Sequence, residues 1–298
     1  MMAVTTAQDK EQKEGTRAGM LDCQKALMEN SGNIDKSIVW LREKGLSKAA
    51  KKSGRTTAEG LVVTKIGPDQ KTAVILEFNS ETDFVGKNSE FVALGNEMAE
   101  IVLNAKCKNL DELLSQKTKA GKSVKDTIAD LVAKVGENMQ ARRFETLSVS
   151  NGVICGYSHM GGKIGSLVAL EGATGPDATQ LCQDIAMHVA ACSPRYLTSE
   201  DVDPSELEQE KSIIRKKILS EGKPENIVDK IVTGNISKFY KEVCLVEQEF
   251  VKDPSMSVKK LVETKGKAAK IANFVRFGLG EGIEKKTSDF AAEVAALT

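Results

Sequence analysis

The chain contains 298 residues, of which 41% are hydrophobic, and such a chain can bury the cores of two or more domains. Lysine plus arginine and aspartate plus glutamate both number 42, a balance that argues against a general nucleic-acid-binding protein. No stretch approaches the run of about 18 apolar residues that a membrane-spanning helix needs. The N-terminal segment lacks the features of a signal or transit peptide. We therefore expect a cytoplasmic protein, or an organellar protein that has already been processed.

The cysteines and histidines exclude several kinds of site. Six cysteines are scattered without a CxxC pair, which predicts reduced cysteines in the core. The two histidines, His159 and His188, cannot complete a zinc site of the usual Cys/His spacing. Neither a catalytic triad, a Cys/His pair nor a carboxylate pair indicates covalent chemistry. The sequence thus predicts a protein that is not an enzyme and that needs no metal or cofactor.

Residues 1–55 predict a small helical module. Met20, Cys23 and Leu27 fall on one face of a first amphipathic segment, and a second segment carries Ile34, Ile38 and Leu41 at helical spacing, with Gly45 as its expected stop. Residues 42–55 hold an excess of basic side chains. We interpret them as a linker and a solvated helix end, with phosphate binding as the less favoured alternative.

Residues 56–148 predict a first α+β subdomain. Leu61–Ile66 and Thr72–Asn79 are rich in Val and Ile and flank a turn, which indicates a β-hairpin. Ser89 is the expected cap of the following helix. The inward face of that helix is predicted to contain Phe91, Leu94, Met98 and Ile101.

Residues 149–280 predict a second subdomain that repeats the first. Gly152–Glu171 aligns with Gly60–Asn79 without a gap, and the next helix should face inward with Leu181, Ile185, His188 or Val189, and Cys192. His188 is expected to be a core histidine with satisfied hydrogen bonds rather than a ligand. Later similarities pair Ser123-Val124-Lys125 with Ser257-Val258-Lys259, and Arg143-Phe144 with Arg276-Phe277. The pattern predicts a duplicated α+β core.

Two helical segments interrupt the second subdomain at about residues 204–243. Apolar stripes of Leu207, Ile214 and Ile218, and of Ile227, Ile231 and Phe239, flank a Gly-Lys-Pro break at residues 222–224. They predict an inserted antiparallel helical hairpin. Residues 281–298 predict a C-terminal helical module anchored by Phe290 and Val294.

Two glycine-containing segments resemble nucleotide-binding loops but do not fit them. Ala120-Gly121-Lys122-Ser123 resembles the end of a P-loop, yet Gln116 stands where the loop needs glycine and no predicted strand precedes it. Residues 161–165 are glycine-rich, and a tight hairpin turn explains them. We therefore expect no nucleotide site at either place.

The segment Glu77–Lys87 leaves a predicted strand and enters a turn. Asp83, Phe84 and Val85 precede a glycine there, a combination typical of an exposed tip. The alternative, which composition alone favours, is that Phe84 folds back beneath the next helix and Asp83 caps that helix.

Family resemblance decides between these interpretations. Glu77–Lys87 resembles the core signature of bacterial elongation factor Ts, the guanine-nucleotide exchange factor of elongation factor Tu, and Thr16–Leu27 resembles the N-terminal signature of that family. Further matches lie in 156–165, 186–191 and 280–285. The resemblance implies a ubiquitin-associated-like three-helix N-terminal module, two core subdomains, a projecting helical hairpin and a C-terminal helical module.

The resemblance also implies which residues contact a partner. Asp83 and Phe84, flanked by Thr82 and Val85, would wedge into elongation factor Tu near its magnesium site and promote GDP release. Secondary contacts would come from Met20, Leu21, His159, Met160, Phe290 and Val294. No direct contact with nucleic acid is expected. The helical hairpin is open to three interpretations: it forms a homodimer, contacts the GTPase or is solvated.

One stretch departs from the family pattern. Gln8, Asp9 and Gln12 stand where the first helix of the family has apolar residues, and Arg17 replaces a glycine. We therefore predict weak packing of a first helix over residues 5–14. A helical adaptor without exchange activity is the alternative function, and a nucleotide-using enzyme is a third.

Overall fold

The computed structural model describes residues 20–266 and 268–284, and this part of the chain has an α+β fold. Its residues divide into two compact units: residues 20–63, 76–144 and 278–284 belong to the first, and the remaining described residues to the second. The four-part division predicted from the sequence stays a prediction. No helix among the described residues has the length and apolar character of a membrane span. The predicted first helix (residues 5–14) and the C-terminal module beyond residue 284 lie outside the described residues.

Two helices open the described chain, α1 (Met20–Glu29) and α2 (Ile34–Lys52). Cys23 and Leu27 of α1 are fully buried, as predicted. The spacing of Ile34, Ile38 and Leu41 predicted α2 itself, but Ile38 is exposed while the neighbouring Ser37 is fully buried. The Ser37 hydroxyl donates to the carbonyl of Ala26 at 3.0 Å, so this small polar side chain lets α2 lie close to α1.

Gly45 does not end α2 as predicted. It lies buried within the helix, where a Cβ atom would stand 3.4 Å from the Cβ of Ala133. The predicted linker is therefore mostly helix up to Lys52, and its last residues, 53–55, are exposed. Arg42 forms an ion pair with Asp126 at 2.5 Å, and the Lys52 ammonium donates to the carbonyl of Gly136.

The first sheet has the order β1-β2-β3, formed by Glu59–Ile66, Thr72–Ser80 and Met139–Ser148. Between β2 and β3 lie four helices: α3 (Asp83–Gly86), α4 (Ser89–Ala105), α5 (Leu110–Ser115) and α6 (Val124–Val135). Phe91, Leu94 and Met98 of α4 are buried as predicted, but Val102 takes the place predicted for Ile101. Asn88, not Ser89, caps α4. Its Oδ1 accepts hydrogen bonds from the backbone amides of residues 90 and 91.

The second sheet has the order β4-β5-β8, formed by Gly152–His159, Ile164–Glu171 and Lys270–Gly278. The strands β4 and β5 are antiparallel, with Gly152 opposite Glu171 and His159 opposite Ile164. Helix α7 (Pro176–Cys192) packs on this pair. The core of the unit contains Val168, Leu181, Ile185, Val189, Leu245, Val258 and Leu261.

The span predicted for the helical hairpin holds α8 (Pro204–Ser220) and α9 (Glu225–Val243), which contact each other. Val228 is buried in α9, whereas the predicted Ile227 is 39% exposed. The chain then forms a two-stranded sheet of β6 (Glu249–Phe250) and β7 (Asp253–Ser257), followed by α10 (Val258–Lys265). Short 3₁₀ helices occupy Ser199–Asp201 and Leu245–Glu247.

The two hairpins of the predicted duplication share a close backbone approach. A Cβ atom at Gly60 would lie 2.2 Å from the carbonyl oxygen of Phe78, and one at Gly152 would lie 2.0 Å from that of Leu170. Gly60 aligns with Gly152, and Phe78 with Leu170, in the gap-free alignment of the two segments. In both hairpins, therefore, the same contact of first strand and second strand requires a residue without a side chain.

Candidate partner-binding site

The tip, Thr82–Val85, is separated from the end of β2 by one residue and contains the N-cap and the first three residues of α3. Phe84 is 79% exposed, whereas the adjacent Val85 is 5% exposed. The fold-back interpretation of Phe84 is therefore wrong. Val85 anchors the tip in the first unit, and the aromatic ring beside it faces solvent.

Asp83 does not cap the helix that follows the tip. Its carboxylate instead accepts a hydrogen bond from the ammonium of Lys87, one helical turn later, at 2.7 Å. Both side chains are exposed enough that such an ion pair contributes at most about 1 kcal/mol. This ion pair by itself therefore holds the Asp83 carboxylate only weakly.

The base of the tip is held by hydrogen bonds. The backbone amide and the hydroxyl of Thr82 both donate to the carboxylate of Glu137, at 3.0 and 2.8 Å. The hydroxyl of Ser80 donates to the Thr82 carbonyl at 2.8 Å. Sequence reasoning missed Glu137, because it lies in the short connection after α6, in a stretch without a recognisable motif.

Glu77, on β2 just before the tip, is a fully buried carboxylate. It accepts hydrogen bonds from the guanidinium groups of Arg142 and Arg143, and from the backbone amide of Gly280 at 2.8 Å. Burial alone would raise its pKa, but the hydrogen bonds from Gly280, Asn79 and the two arginines outweigh burial and lower it. The ionised group therefore connects β2 with β3 and with the segment after β8.

His159 and Met160 lie at the turn between β4 and β5, in the second unit. The His159 side chain is exposed, and its Nδ1 lies 3.2 Å from the hydroxyl of Tyr157 on the same strand. Met160 is 67% exposed and has φ of 50°, a left-handed conformation that is uncommon outside glycine. The turn thus presents an imidazole and a thioether side by side. Sequence reasoning missed the contact with Tyr157.

Leu21 on α1 is 82% exposed. Three further apolar side chains of these helices are also exposed: Met28 on α1, and Ile38 and Val39 on α2. Sequence reasoning did not predict that these three lie on the surface. The two small helices therefore carry apolar side chains on their surface. The side chain of Met20, and the whole of Phe290 and Val294, lie outside the described residues.

His188 is the core histidine that the sequence predicts. It is fully buried, its Nδ1 accepts a hydrogen bond from the Val251 amide at 3.1 Å, and its Nε2 lies 2.9 Å from Oε1 of Gln248. Because Nδ1 accepts, Nε2 carries the proton and donates. Burial lowers the pKa of the imidazole, although the hydrogen bond to Gln248 acts in the opposite direction.

The segment that resembles a P-loop has another structure. The Thr118 amide donates to the Lys122 carbonyl at 2.8 Å, and Gly121 has φ of +80°, so the segment is a tight turn. Ser123 then caps α6, and the element before the turn is α5 rather than a strand. Among the described residues, no three His, Cys, Asp or Glu side chains are grouped as a metal site would need.

Residues 81–281 match the family described as elongation factor TS. An elongation factor Ts of Clostridium perfringens is 47% identical over 299 residues, which cover 99% of each chain. The corresponding protein of Halothermothrix orenii is 46% identical over 295 residues, 98% of each chain. That of Clostridium novyi is 48% identical over 298 residues, 98% of this chain and 97% of its own length.

The chain belongs to the bacterial elongation factor Ts family. The family assignment made from the signature residues is thereby confirmed, and the chain is a translation elongation factor. The region that matches the family includes Thr82–Val85, Glu137 and the turn at His159.

Proposed function

We propose that this chain promotes the release of GDP from elongation factor Tu by inserting Asp83 and Phe84 near the magnesium site of the GTPase. The observation that carries the proposal is the exposed Phe84 beside the buried Val85, within the signature of the elongation factor Ts family. An aromatic ring in water gains free energy when a partner covers it. The work is done by binding, with no covalent step.

The size of the effect follows from the binding energy. An exchange factor must bind the nucleotide-free GTPase more tightly than the loaded one, and the coupling is reciprocal. Burial of Phe84 contributes about 1.5–3 kcal/mol, which corresponds to roughly ten- to hundred-fold faster release. Greater acceleration requires further contacts.

Asp83 adds an electrostatic contribution. Its carboxylate can leave Lys87 and compete for the groups that order the magnesium ion, because the exposed ion pair is weak. Loss of an ordered cation weakens the hold on the phosphates of GDP.

The remaining contacts involve the other exposed residues of the predicted set. Leu21 on α1 and the His159–Met160 turn carry side chains that a partner can cover. Met20, Phe290 and Val294 belong to the same proposal through the family resemblance alone.

The helical hairpin has exposed apolar side chains of its own, namely Ile213, Leu219 and Ile227. Pairing with a second copy through these residues stays a prediction. Sedimentation equilibrium tests it by comparing the wild-type chain with a variant in which all three residues are changed to serine. The absence of direct nucleic-acid contact and an action in the cytoplasm belong to the same proposal.

The test is release of fluorescent GDP from elongation factor Tu at catalytic amounts of this protein. Wild-type protein should turn over many loaded GTPase molecules, and Asp83→Ala/Phe84→Ala should release GDP much more slowly. Unchanged release by the double variant would exclude the wedge mechanism. Stoichiometric binding without turnover would favour the adaptor, and intrinsic GTP hydrolysis the enzyme.

A further inference from the structure

We propose that Glu137 and Asn138 are positioning residues for GDP release: they hold the base of the tip and, through the same junction, the end of α2. This inference rests on the proposed function and assigns a role to residues outside the predicted set of partner contacts. The junction is the segment Gly136–Asn138, which connects α6 to β3.

The hold on Thr82 is unusual for a residue at the start of a helix. A threonine at the N-cap ordinarily accepts a hydrogen bond from its own helix, but Thr82 caps α3 without such a bond. Its hydroxyl donates instead to Oε1 of Glu137 at 2.8 Å, while its backbone amide donates to Oε2 of the same carboxylate at 3.0 Å. One side chain thus fixes both the backbone and the rotamer of the first tip residue.

The adjacent residues make a reciprocal contact. The carboxylate of Glu81 accepts a hydrogen bond from the backbone amide of Asn138 at 2.5 Å. Residues 81–82 and 137–138 therefore exchange carboxylate-to-amide hydrogen bonds in both directions. Hydrogen bonds to a carboxylate are stronger than those to a neutral acceptor, and the three formed here restrict rotation of the tip about its base.

The junction also binds the end of the N-terminal helices. The Asn138 side-chain amide lies 2.9 Å from the carbonyl of Arg55 and 3.3 Å from that of Ser53. The Lys52 ammonium donates to the Gly136 carbonyl. The junction therefore connects the base of the tip with the end of α2, whose partner α1 carries the exposed Leu21.

A fixed tip has a consequence for the rate. Ordering a loosely held segment during binding consumes free energy that would otherwise weaken nucleotide binding. If the junction orders the tip beforehand, its loss should lower the maximal rate of GDP release more than it changes binding to the GDP-loaded GTPase.

The experiment compares Glu137→Ala, Glu137→Gln and wild type in GDP release from elongation factor Tu over a range of factor concentrations. Glu137→Ala should lower the maximal rate by about tenfold, with a small change in the concentration that gives half-maximal rate. Glu137→Gln keeps one acceptor and should lie between the two. Glu145→Gln changes an exposed glutamate of β3 and serves as the matched control.

Two further measurements separate positioning from general damage. Hydrogen exchange of the amides of residues 82–86 should become faster in Glu137→Ala while the amides of β4 and β5 keep their protection. If Glu137→Ala does not fold, Thr82→Val removes only the hydroxyl donor and should still lower the maximal rate. In the double variant, Thr82→Val should lower the rate little beyond the effect of Glu137→Ala, because both substitutions remove the same hydrogen bond.

The outcomes distinguish the two proposals. If wild-type protein does not accelerate the release of GDP from elongation factor Tu, the proposed function fails and the positioning role fails with it. If wild type releases GDP and Glu137→Ala matches its maximal rate, the positioning role alone is overturned. The positioning role is also overturned if the lower maximal rate is accompanied by an equal loss of amide protection throughout the fold, because general destabilisation would then explain the rate.

Discussion

The ring of Phe78 lies against the ring of Phe91, with centroids 4.0 Å apart and planes inclined by 9°. Both side chains are fully buried, one on β2 and one on α4. The space beneath α4 into which Phe84 would fold is therefore already filled. This stacking explains why the third phenylalanine of the region remains in solvent.

The exposed ring of Phe84 and the buried ring of Phe91 should consequently differ in their effect on stability. We expect Phe84→Ala to change the free energy of unfolding by less than about 0.5 kcal/mol, because an exposed side chain loses few contacts. Phe91→Ala should lower it by about 3–5 kcal/mol, because it leaves a cavity. Urea unfolding followed by circular dichroism measures both. A large loss in Phe84→Ala would mean that the ring packs within the fold.

Substitution of Glu77 should be strongly destabilising although it changes few atoms. Glu77→Gln leaves Arg142 and Arg143 without their buried carboxylate and should lower the free energy of unfolding by about 2–3 kcal/mol. Glu145→Gln, at an exposed position, should change it by less than about 0.5 kcal/mol. Equal stability of the two variants in urea would contradict the buried network.

The lowered pKa of Glu77 also predicts a dependence on pH. The folded state binds the proton less readily than the unfolded state, so the contribution of Glu77 is complete above its ordinary pKa of 4.5. It is lost as the pH falls through the folded value. Thermal unfolding between pH 6 and pH 3 should show a smaller acid-induced loss in Glu77→Gln than in wild type, and parallel curves would refute the assignment.

Protonation of His188 should lower the stability of the fold at a higher pH than protonation of Glu77 does. Burial lowers its pKa below 6.5 in the folded state, so the unfolded state binds the proton first as the pH falls. Stability should therefore decrease from about pH 6.5 downward. Thermal unfolding of wild type and His188→Gln between pH 7.5 and 5 measures this decrease, which should be smaller in the variant. Matching slopes would contradict it, and His159→Gln is the control with an exposed histidine.

Neither of the paired glycines of the two hairpins should tolerate alanine. Gly60→Ala and Gly152→Ala each place a methyl group against a backbone carbonyl that cannot move aside. Each should lower the free energy of unfolding by about 2 kcal/mol or more. Gly54→Ala is the control, because nothing lies within 4 Å of the added atom. Tolerance at only one of the two glycines would argue against equivalent hairpins.

Local sequence predicted the elements better than their contacts. The spacing of Phe91, Leu94 and Met98 gave the buried face of α4, because helical periodicity is a property of neighbouring residues. The orientation of Phe84 was not predictable in this way, since it depends on which ring fills the space beneath α4. Ser37 shows the same limit, because a polar residue faces α1 only where a carbonyl such as that of Ala26 receives it.

Some residues of the candidate site were likewise recognisable in the sequence, and others only in the structure. The signature residues Asp83 and Phe84 were recognisable in the sequence through family resemblance. Glu137 was not, because its role comes from a contact with a residue 55 positions away. Position in the fold, rather than a pattern in the chain, identifies it.

That long separation has a consequence for the tip as an isolated object. Helix α3 has no side-chain cap of its own, and its N-cap residue, Thr82, is held by the carboxylate of Glu137. A synthetic peptide of residues 77–90 would contain the sequence of the tip without its conformation. It should therefore compete poorly with the whole protein for binding to elongation factor Tu. During synthesis the same dependence sets an order: the ribosome must deliver residue 137 before residues 82–85 can take their final form.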